Sequence, residues 1–357
     1  MHRLFILLAF FVPGSQAAAQ SYMGAIDMAT RRISEEMEMQ KLPGVAVAIS
    51  LKDSLIWSAG MGFADLENMV PVDPARSLFR IGSVSKTLTA AALARLYENG
   101  LLDLDAEVQT ICPDFPKKNF PITVRQVGGH LSGIRHYRGM EFLSSIRYHS
   151  VASSLAIFKD DSLLFKPGSK YSYSSYGWNL LSYVIENLTQ QEFLDYMLQN
   201  VFEPLQMLHT QPDYPEVITP GRVRFYQKLD QELINCPYVD NSYKWAGGGF
   251  LSSAEDLIRF GEAHLNNTFV TPETLGQFTD PQNLVDGTST GYGIGWRSAT
   301  DQFGHNWVGH SGGSVGGISM FQIYPDHQLT LVILTNTSHA QIGMLASEIA
   351  NDFISSQ

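Results

Sequence analysis

Residues 79–100 read Phe-Arg-Ile-Gly-Ser-Val-Ser-Lys-Thr-Leu-Thr-Ala-Ala-Ala-Leu-Ala-Arg-Leu-Tyr-Glu-Asn-Gly. From Thr87 the run is rich in alanine and leucine, the composition of a helix interior, and Gly100 is the residue type that closes a helix. Ser83 is therefore expected in the first turn. Ser83 and Lys86 stand three apart and share one face. The helix N-terminus adds positive potential and free N–H donors near Ser83. A serine hydroxyl is a poor nucleophile until a base takes its proton, and lysine is such a base when burial or a neighbouring cation lowers its pKa. Val84, Leu88 and Ala90 are compatible with burial. By itself Ser-x-x-Lys also describes a capping serine beside a solvated lysine, so its meaning depends on the rest of the chain.

On the N-terminal side, residues 22–41 carry Met23, Ile26, Ile33 and Met37 near helical spacing, stopped by Pro43 and Gly44. Residues 44–51 (GVAVAISL) read as a strand, Lys52-Asp53 as a turn and 54–62 as the returning strand. The C-terminal end mirrors this. Residues 318–324 and 329–335 are strand-like around the turn Pro325-Asp326-His327, and Ile342, Leu345, Ile349 and Phe353 form the stripe of an amphipathic helix. Between them, roughly 83–289 is dominated by helical patterns broken by Pro/Gly loops. The expected fold is α+β: one antiparallel sheet built from both chain ends (about 20–82 and 290–357), flanked by helices, with a mostly helical region inserted.

Two further stretches can carry chemistry. Tyr171-Ser172-Tyr173-Ser174-Ser175 follows the turn Lys166-Pro167-Gly168 and leads into a helical pattern. Tyr173 is a candidate phenolate or proton relay; ordinary loop packing is the competing reading. Val308-Gly309-His310-Ser311-Gly312-Gly313 precedes a strand, and its glycines let a substrate backbone approach a sheet edge. A Gly-rich turn with a surface histidine is the competing reading there. Gly312-Gly313-Ser314-Val315-Gly316 matches G-x-S-x-G literally, but that motif needs a strand before it and a helix after it, and a strand-like segment follows. His130, His136, His305 and His310 lack metal-ligand spacing, and no cofactor or metal is expected.

The bulk properties narrow the class. The 357 residues are 44% hydrophobic and 17% charged, with formal net charge -11. That balance suits one large domain or two joined ones, and argues against nucleic acid as a partner because no basic patch stands out. A small molecule or peptide is the expected substrate. His2 and Arg3, the apolar run from Leu4 to Val12, and Ala17, Ala18 and Ala19 read as a secretory signal peptide over 1–19, too short to span a bilayer; a retained N-terminal anchor is the alternative. The mature chain, 20–357, is then exported, periplasmic or secreted, with no stable membrane span. Export permits a disulfide between Cys112 and Cys236, and two free thiols are equally compatible with the sequence.

In order along the chain, Ser-x-x-Lys, Tyr-x-polar and His-x-Gly resemble the serine β-lactamase and penicillin-binding superfamily. The class C branch, with its D-alanyl-D-alanine carboxypeptidases and lactamase-like esterases, is most similar. His130-Leu131-Ser132-Gly133-Ile134, Ala246-Gly247-Gly248-Gly249 and Tyr292-Gly293-Ile294-Gly295-Trp296 add to the resemblance, which covers nearly all of the mature chain. It implies Ser83 as the acylated nucleophile, Lys86 as its proton partner and Tyr173 as a base that also protonates the leaving group. It further implies Ser175, His310, Gly312 and Gly313 as substrate-binding and oxyanion residues, the hole being the N–H groups of Ser83 and Gly313. The implied function is a serine hydrolase working through an acyl-enzyme on an amide or ester, a peptidase or esterase; the alternatives are a β-lactamase proper or a penicillin- or cell-wall-binding relative with little turnover. Two departures shift weight from β-lactamase: Ser175 stands where the family often has asparagine, with Asn179 as a conceivable substitute in space, and His310 stands where many lactamases have lysine.

Overall fold

A computed structural model describes residues 21–357; the signal peptide assigned to 1–19 lies outside the described residues. Helix α1 (Met23–Gln40) leads into a hairpin of β1 (Gly44–Leu51) and β2 (Ser54–Asp65), beyond which the two-residue strand β3 (Val70–Pro71) pairs. The chain then runs through α2 (Ser85–Glu98), α3 (Ser175–Thr189), the single-turn α4 (Trp245–Gly248) and α5 (Ala254–Leu265), with loops and shorter elements between. It returns as β4 (Arg297–Thr300), β5 (Asn306–Ser314), β6 (Gly317–Tyr324) and β7 (Leu329–Thr335), and α6 (Gly343–Ile354) follows.

The seven strands form one antiparallel sheet in the order β3-β2-β1-β7-β6-β5-β4. β1 and β7 are neighbours, Val47 opposite Ile333 and Ala48 opposite Val332, so the sheet is built from both ends of the chain. Every residue of β1 and β7 is buried. The reason is that helices cover both faces, which removes the polar alternation of a one-sided sheet. Val45, Val47, Ile49, Leu331 and Ile333 pack with Ala29 and Ile33 of α1 and Leu345, Ile349 and Phe353 of α6. Arg32 ties these two helices together, reaching Glu348 and Asp352 at 3.0 Å each. The opposite face presents Ala46, Ala48, Phe321, Val332 and Leu334 to the larger core that holds α2, α3 and α5.

The small side chains on that second face let α5 approach closely. A Cβ added at Gly261 would stand 2.5 Å from Thr330 Cγ2 and 3.2 Å from the Phe321 ring. Thr330 is fully buried and β-branched, so it has little room to yield.

The terminal hairpins match expectation closely, β2 running three residues past the expected end at 62. Two features were not legible. The glycine-rich stretch 306–314 is itself a nine-residue strand paired on both sides, although glycine disfavours strands. The middle also holds a hairpin, Tyr226–Leu229 with Glu232–Asn235, and a small sheet of Phe79–Arg80, Phe250–Ser252 and Gln211–Pro212. The latter pins the segment just before Ser83. Cys112 and Cys236 are both free thiols.

Gly261→Ala tests the α5 approach. Alanine gains about 1 kcal/mol in helix propensity, whereas overpacking a close-fitted core costs roughly 1–3 kcal/mol. The expected net effect is destabilisation of about 1 kcal/mol, read as a lower urea midpoint with unchanged slope.

Candidate active site

Ser83 lies in a 3₁₀ turn, Gly82–Val84, that runs directly into α2. It is thus just ahead of the α-helix proper, yet still shares a face with Lys86. Gly82 has φ of +50°, and a Cβ there would stand 2.7 Å from Gly313 N. Only glycine permits that contact between the Ser83 turn and β5. At its other end α2 closes as its sequence suggests, with Gly100 at φ of +71° and Leu101 N–H donating to Leu96 O at 2.9 Å.

Lys86 is fully buried. Its Nζ lies 2.6 Å from Gly247 O, 3.1 Å from Ser83 Oγ and 3.1 Å from Ser175 Oγ. Burial, and secondarily the nearby Lys244 charge, pushes its pKa well below the usual lysine value. A neutral amine has two N–H donors and one lone pair. Gly247 O can only accept, so one N–H is fixed there, one hydroxyl takes the other, and the second hydroxyl donates to the lone pair. That is the arrangement in which a lysine can draw the proton from Ser83.

Gly247 belongs to α4, which Thr89 Oγ1 holds against α2 by donating to Ala246 O at 3.0 Å; just beyond α4, Phe250 N–H donates to Ser85 Oγ at 3.4 Å. A Cβ on Gly247 would stand 3.0 Å from Ser175 O and 3.3 Å from Trp178 Cβ, so a side chain there would press α4 away from the start of α3.

Tyr173 and Ser175 sit at the start of α3. Ser174 is the N-cap: its Oγ accepts from Gly177 N–H at 3.1 Å and donates to Arg135 O at 2.6 Å. Two histidines satisfy neighbouring backbone donors. His130 Nδ1 accepts from Ser174 N–H and His136 Nδ1 accepts from Ser175 N–H, each at 3.1 Å. Protonating either nitrogen would break its bond, and burial acts in the same direction. His130 is driven well below the ordinary histidine pKa, and His136 to about 4. Tyr173 is half-buried among the rings of His130 and Tyr292, with centroids at 4.2 and 6.4 Å, and it lines the same cavity as Ser83. Burial pushes its phenol pKa up, favouring the protonated form. Asn179 does not stand in for a carboxamide at Ser175: its amide is committed to Tyr243 O and, at 3.3 Å, to Ser154 Oγ.

On β5, Gly313 faces the cavity and Gly312 faces inward, where a Cβ would stand 2.0 Å from Ile81 O. His310 is buried. Its Nδ1 donates to Ser311 O at 2.6 Å, leaving Nε2 to accept from the Tyr292 hydroxyl at 2.8 Å. Desolvation drives its pKa to about 3, so it is neutral. Ser314 ends β5, and β6 rather than a helix follows, which removes the nucleophile-elbow geometry from G-x-S-x-G.

A cavity of about 240 Å³ opens over Ser83. Tyr173, Ser175 and Gly313 line it, as do His136, Tyr137, Phe142, Lys244, Gly247 and Gly248. His310 and Gly312 are not in its lining. Sequence reasoning did not single out His136, Tyr137, Phe142 or Lys244 as site residues. The signal available for Lys244 was a lysine enclosed by Tyr243 and Trp245 just ahead of a glycine run. Among the described residues no cluster of His, Cys, Asp and Glu could hold a metal ion, and no helix is long and apolar enough to cross a membrane.

A serine hydroxyl 3.1 Å from a buried lysine amine, at the seam of a helix-flanked antiparallel sheet and a helical region, is an arrangement fitted to an acyl-transfer serine hydrolase. The chain belongs to the beta-lactamase family, whose sequence profile matches residues 29–349. It is 31% identical to the serine beta-lactamase-like protein LACTB, mitochondrial, of Homo sapiens, over 95% of this chain and 78% of that protein. Its fold is that of the octameric penicillin-binding protein homologue from Pyrococcus abyssi (TM-score 0.79, 24% identity, 92% of this chain and 77% of that one). It is equally that of the beta-lactamase/D-alanine carboxypeptidase from Pseudomonas syringae (TM-score 0.77, 20% identity, 93% and 99%).

The neutral histidines make the fold acid-sensitive. His310 and His136 have folded pKa values of about 3 and about 4, below the 6.5 of a free histidine. The unfolded chain therefore binds more protons in between, and stability falls as pH drops from about 6.5 toward those values. Urea midpoints measured between pH 7 and pH 4.5 are expected to decrease steadily, and a flat series would contradict the neutral assignment.

Proposed function

We propose that this chain is an exported serine esterase or peptidase, of the class C type, in which Lys86 is the general base. The observation that carries the reading is the buried Lys86 amine 3.1 Å from Ser83 Oγ. Neutral Lys86 takes the Ser83 proton as Oγ bonds to the substrate carbonyl carbon. The N–H groups of Ser83 and Gly313 receive the oxyanion. Collapse breaks the bond to the leaving alcohol or amine, which takes its proton from the Tyr173 phenol; the Lys86 ammonium restores that proton. Water then attacks the acyl-enzyme and the same groups return Ser83 to its starting state. Tyr173 is assigned as donor because its raised pKa makes phenolate costly, whereas the depressed Lys86 pKa makes free amine available.

An ester or peptide is favoured over a β-lactam. The strand position that carries a lysine in many lactamases holds a neutral, buried histidine, and Ser175 offers one short hydroxyl in place of a carboxamide. Export is supported by the basic start, apolar run and small residues of 1–19.

A fluorophosphonate probe is expected to label wild type and not Ser83→Ala. Lys86→Met should lower kcat/KM for p-nitrophenyl butyrate by about 10²–10⁴. In wild type kcat/KM should rise with pH through an apparent pKa well below 10.5, because Lys86 works deprotonated. Tyr173→Phe should keep that rising limb; its disappearance would move the base role to the tyrosine. Labelling without turnover would instead fit a penicillin-binding relative.

A further inference from the structure

The cavity wall holds a cation that takes no part in the proton transfers of the hydrolytic mechanism. Lys244 is 2% exposed and lines the cavity together with Ser83. Its ammonium lies 4.4 Å from the Phe142 ring centroid, 5.3 Å from Tyr243 and 5.9 Å from Tyr137. Those aromatic faces attract a cation but accept no strong hydrogen bond. Among the described residues no carboxylate forms an ion pair with it. The acid whose charge acts on it, Asp213, is already committed: Arg80 holds it at 2.6 Å, Asn241 at 2.8 Å and Arg222 at 3.4 Å. An unpaired buried charge is expensive to keep, and buried charges ordinarily have partners.

We infer that Lys244 is the specificity-determining residue for an anionic acyl group: the substrate carries a carboxylate on a short acyl chain, and that carboxylate docks on the Lys244 ammonium at the aromatic end of the cavity. This rests on the acyl-transfer reading of Ser83 and adds the substrate class to it. The acyl side follows from where these groups stand. Lys244 packs on Phe142 and Tyr137, and its charge acts on Lys86 and His136. Tyr173 packs on the other side against His310 and Tyr292, at 6.2 and 6.4 Å between ring centroids, where the charge of Arg297 of β4 acts. Tyr173 gives the leaving group its proton, so the leaving group departs on the Arg297 side and the acyl chain extends toward Lys244. Burial has already lowered the Lys244 pKa to about 7, and a docked carboxylate would raise it again by supplying the missing counter-charge. A cavity of about 240 Å³ suits a short chain of this kind.

The test compares p-nitrophenyl hemiglutarate with its methyl ester, which differs only in lacking the free carboxylate. Wild type is expected to prefer the free acid in kcat/KM by at least about tenfold, the effect of one charge-assisted hydrogen bond. Lys244→Met and Lys244→Gln should each reduce that ratio by at least about tenfold, mostly through KM, and Lys244→Arg should retain part of it. Fluorophosphonate labelling of the variants reports that Ser83 is still assembled. A wild-type ratio near one overturns the inference without reference to any variant. So does a ratio unchanged in labelled Lys244→Met. A preference that appears only when the carboxylate sits on the leaving group, in a 4-carboxyphenyl ester against its methyl ester, overturns the acyl-side assignment. Wild type that neither takes the probe nor cleaves either ester overturns the Ser83 reading itself, a result distinct from cleaving both esters equally.

Discussion

A lysine amine removed from water and tied to one peptide carbonyl is the constraint on which the rest of this site depends. Lys86 Nζ cannot leave the Gly247 carbonyl at 2.6 Å without stranding a buried N–H. Holding it there requires that α4 lie against both α2 and the start of α3, because Ser175 and Ser83 must be in reach at the same time. Those are three segments far apart in sequence. The sheet provides the frame: β5 and β6 back the Ser83 turn, with Ser319 Oγ donating to Ile81 O at 2.7 Å. The depressed lysine pKa is then a consequence of packing, not of a special residue type.

Close packing around the site is achieved by omitting side chains. Gly82 against Gly313, Gly312 against Ile81 O, and Gly247 against Ser175 O are contacts that a single Cβ would disturb. This explains why the glycine-rich segment 306–314 is a strand in spite of its composition. It is not held by strand propensity but by the β6 ladder along 308–314, the β4 ladder along 306–309 and the turn it must touch. A tertiary requirement overrides the local preference.

Legibility followed the same division. The two hairpins, α1, α2 and α6 carry periodic apolar patterns, and these could be read because local pattern and final burial agree. Ser83, Lys86 and Tyr173 could be singled out by their order and spacing, and the structure brings Ser83 and Tyr173 to one cavity with Lys86 beside Ser83. His136, Tyr137 and Phe142 could not, since they lie in an irregular loop whose residues point toward the cavity only through long-range packing. His310 was legible as a position but not in its role. Its bonds to Ser311 O and the Tyr292 hydroxyl, which settle its tautomer and neutrality, come partly from a residue 18 positions away.

The electrostatics of the site run against those of the molecule. The chain as a whole carries a net charge of -11, yet the cavity over Ser83 is lined, among the described residues, by His136 and Lys244 and by no carboxylate. The histidines are removed from the charge balance by helix geometry: the first N–H groups of α3 must be satisfied, His130 and His136 do so through bare ring nitrogens, and a bare nitrogen is an uncharged one. Lys86 is kept toward neutrality by burial and by its neighbour. What is left as an available positive charge in the cavity wall is Lys244, surrounded by rings that screen it poorly. A concave site with one such charge concentrates field on whatever enters. Desolvation lowers the pKa of both lysines, and the two cannot be adjusted independently, because the Lys244 charge itself helps to lower that of Lys86.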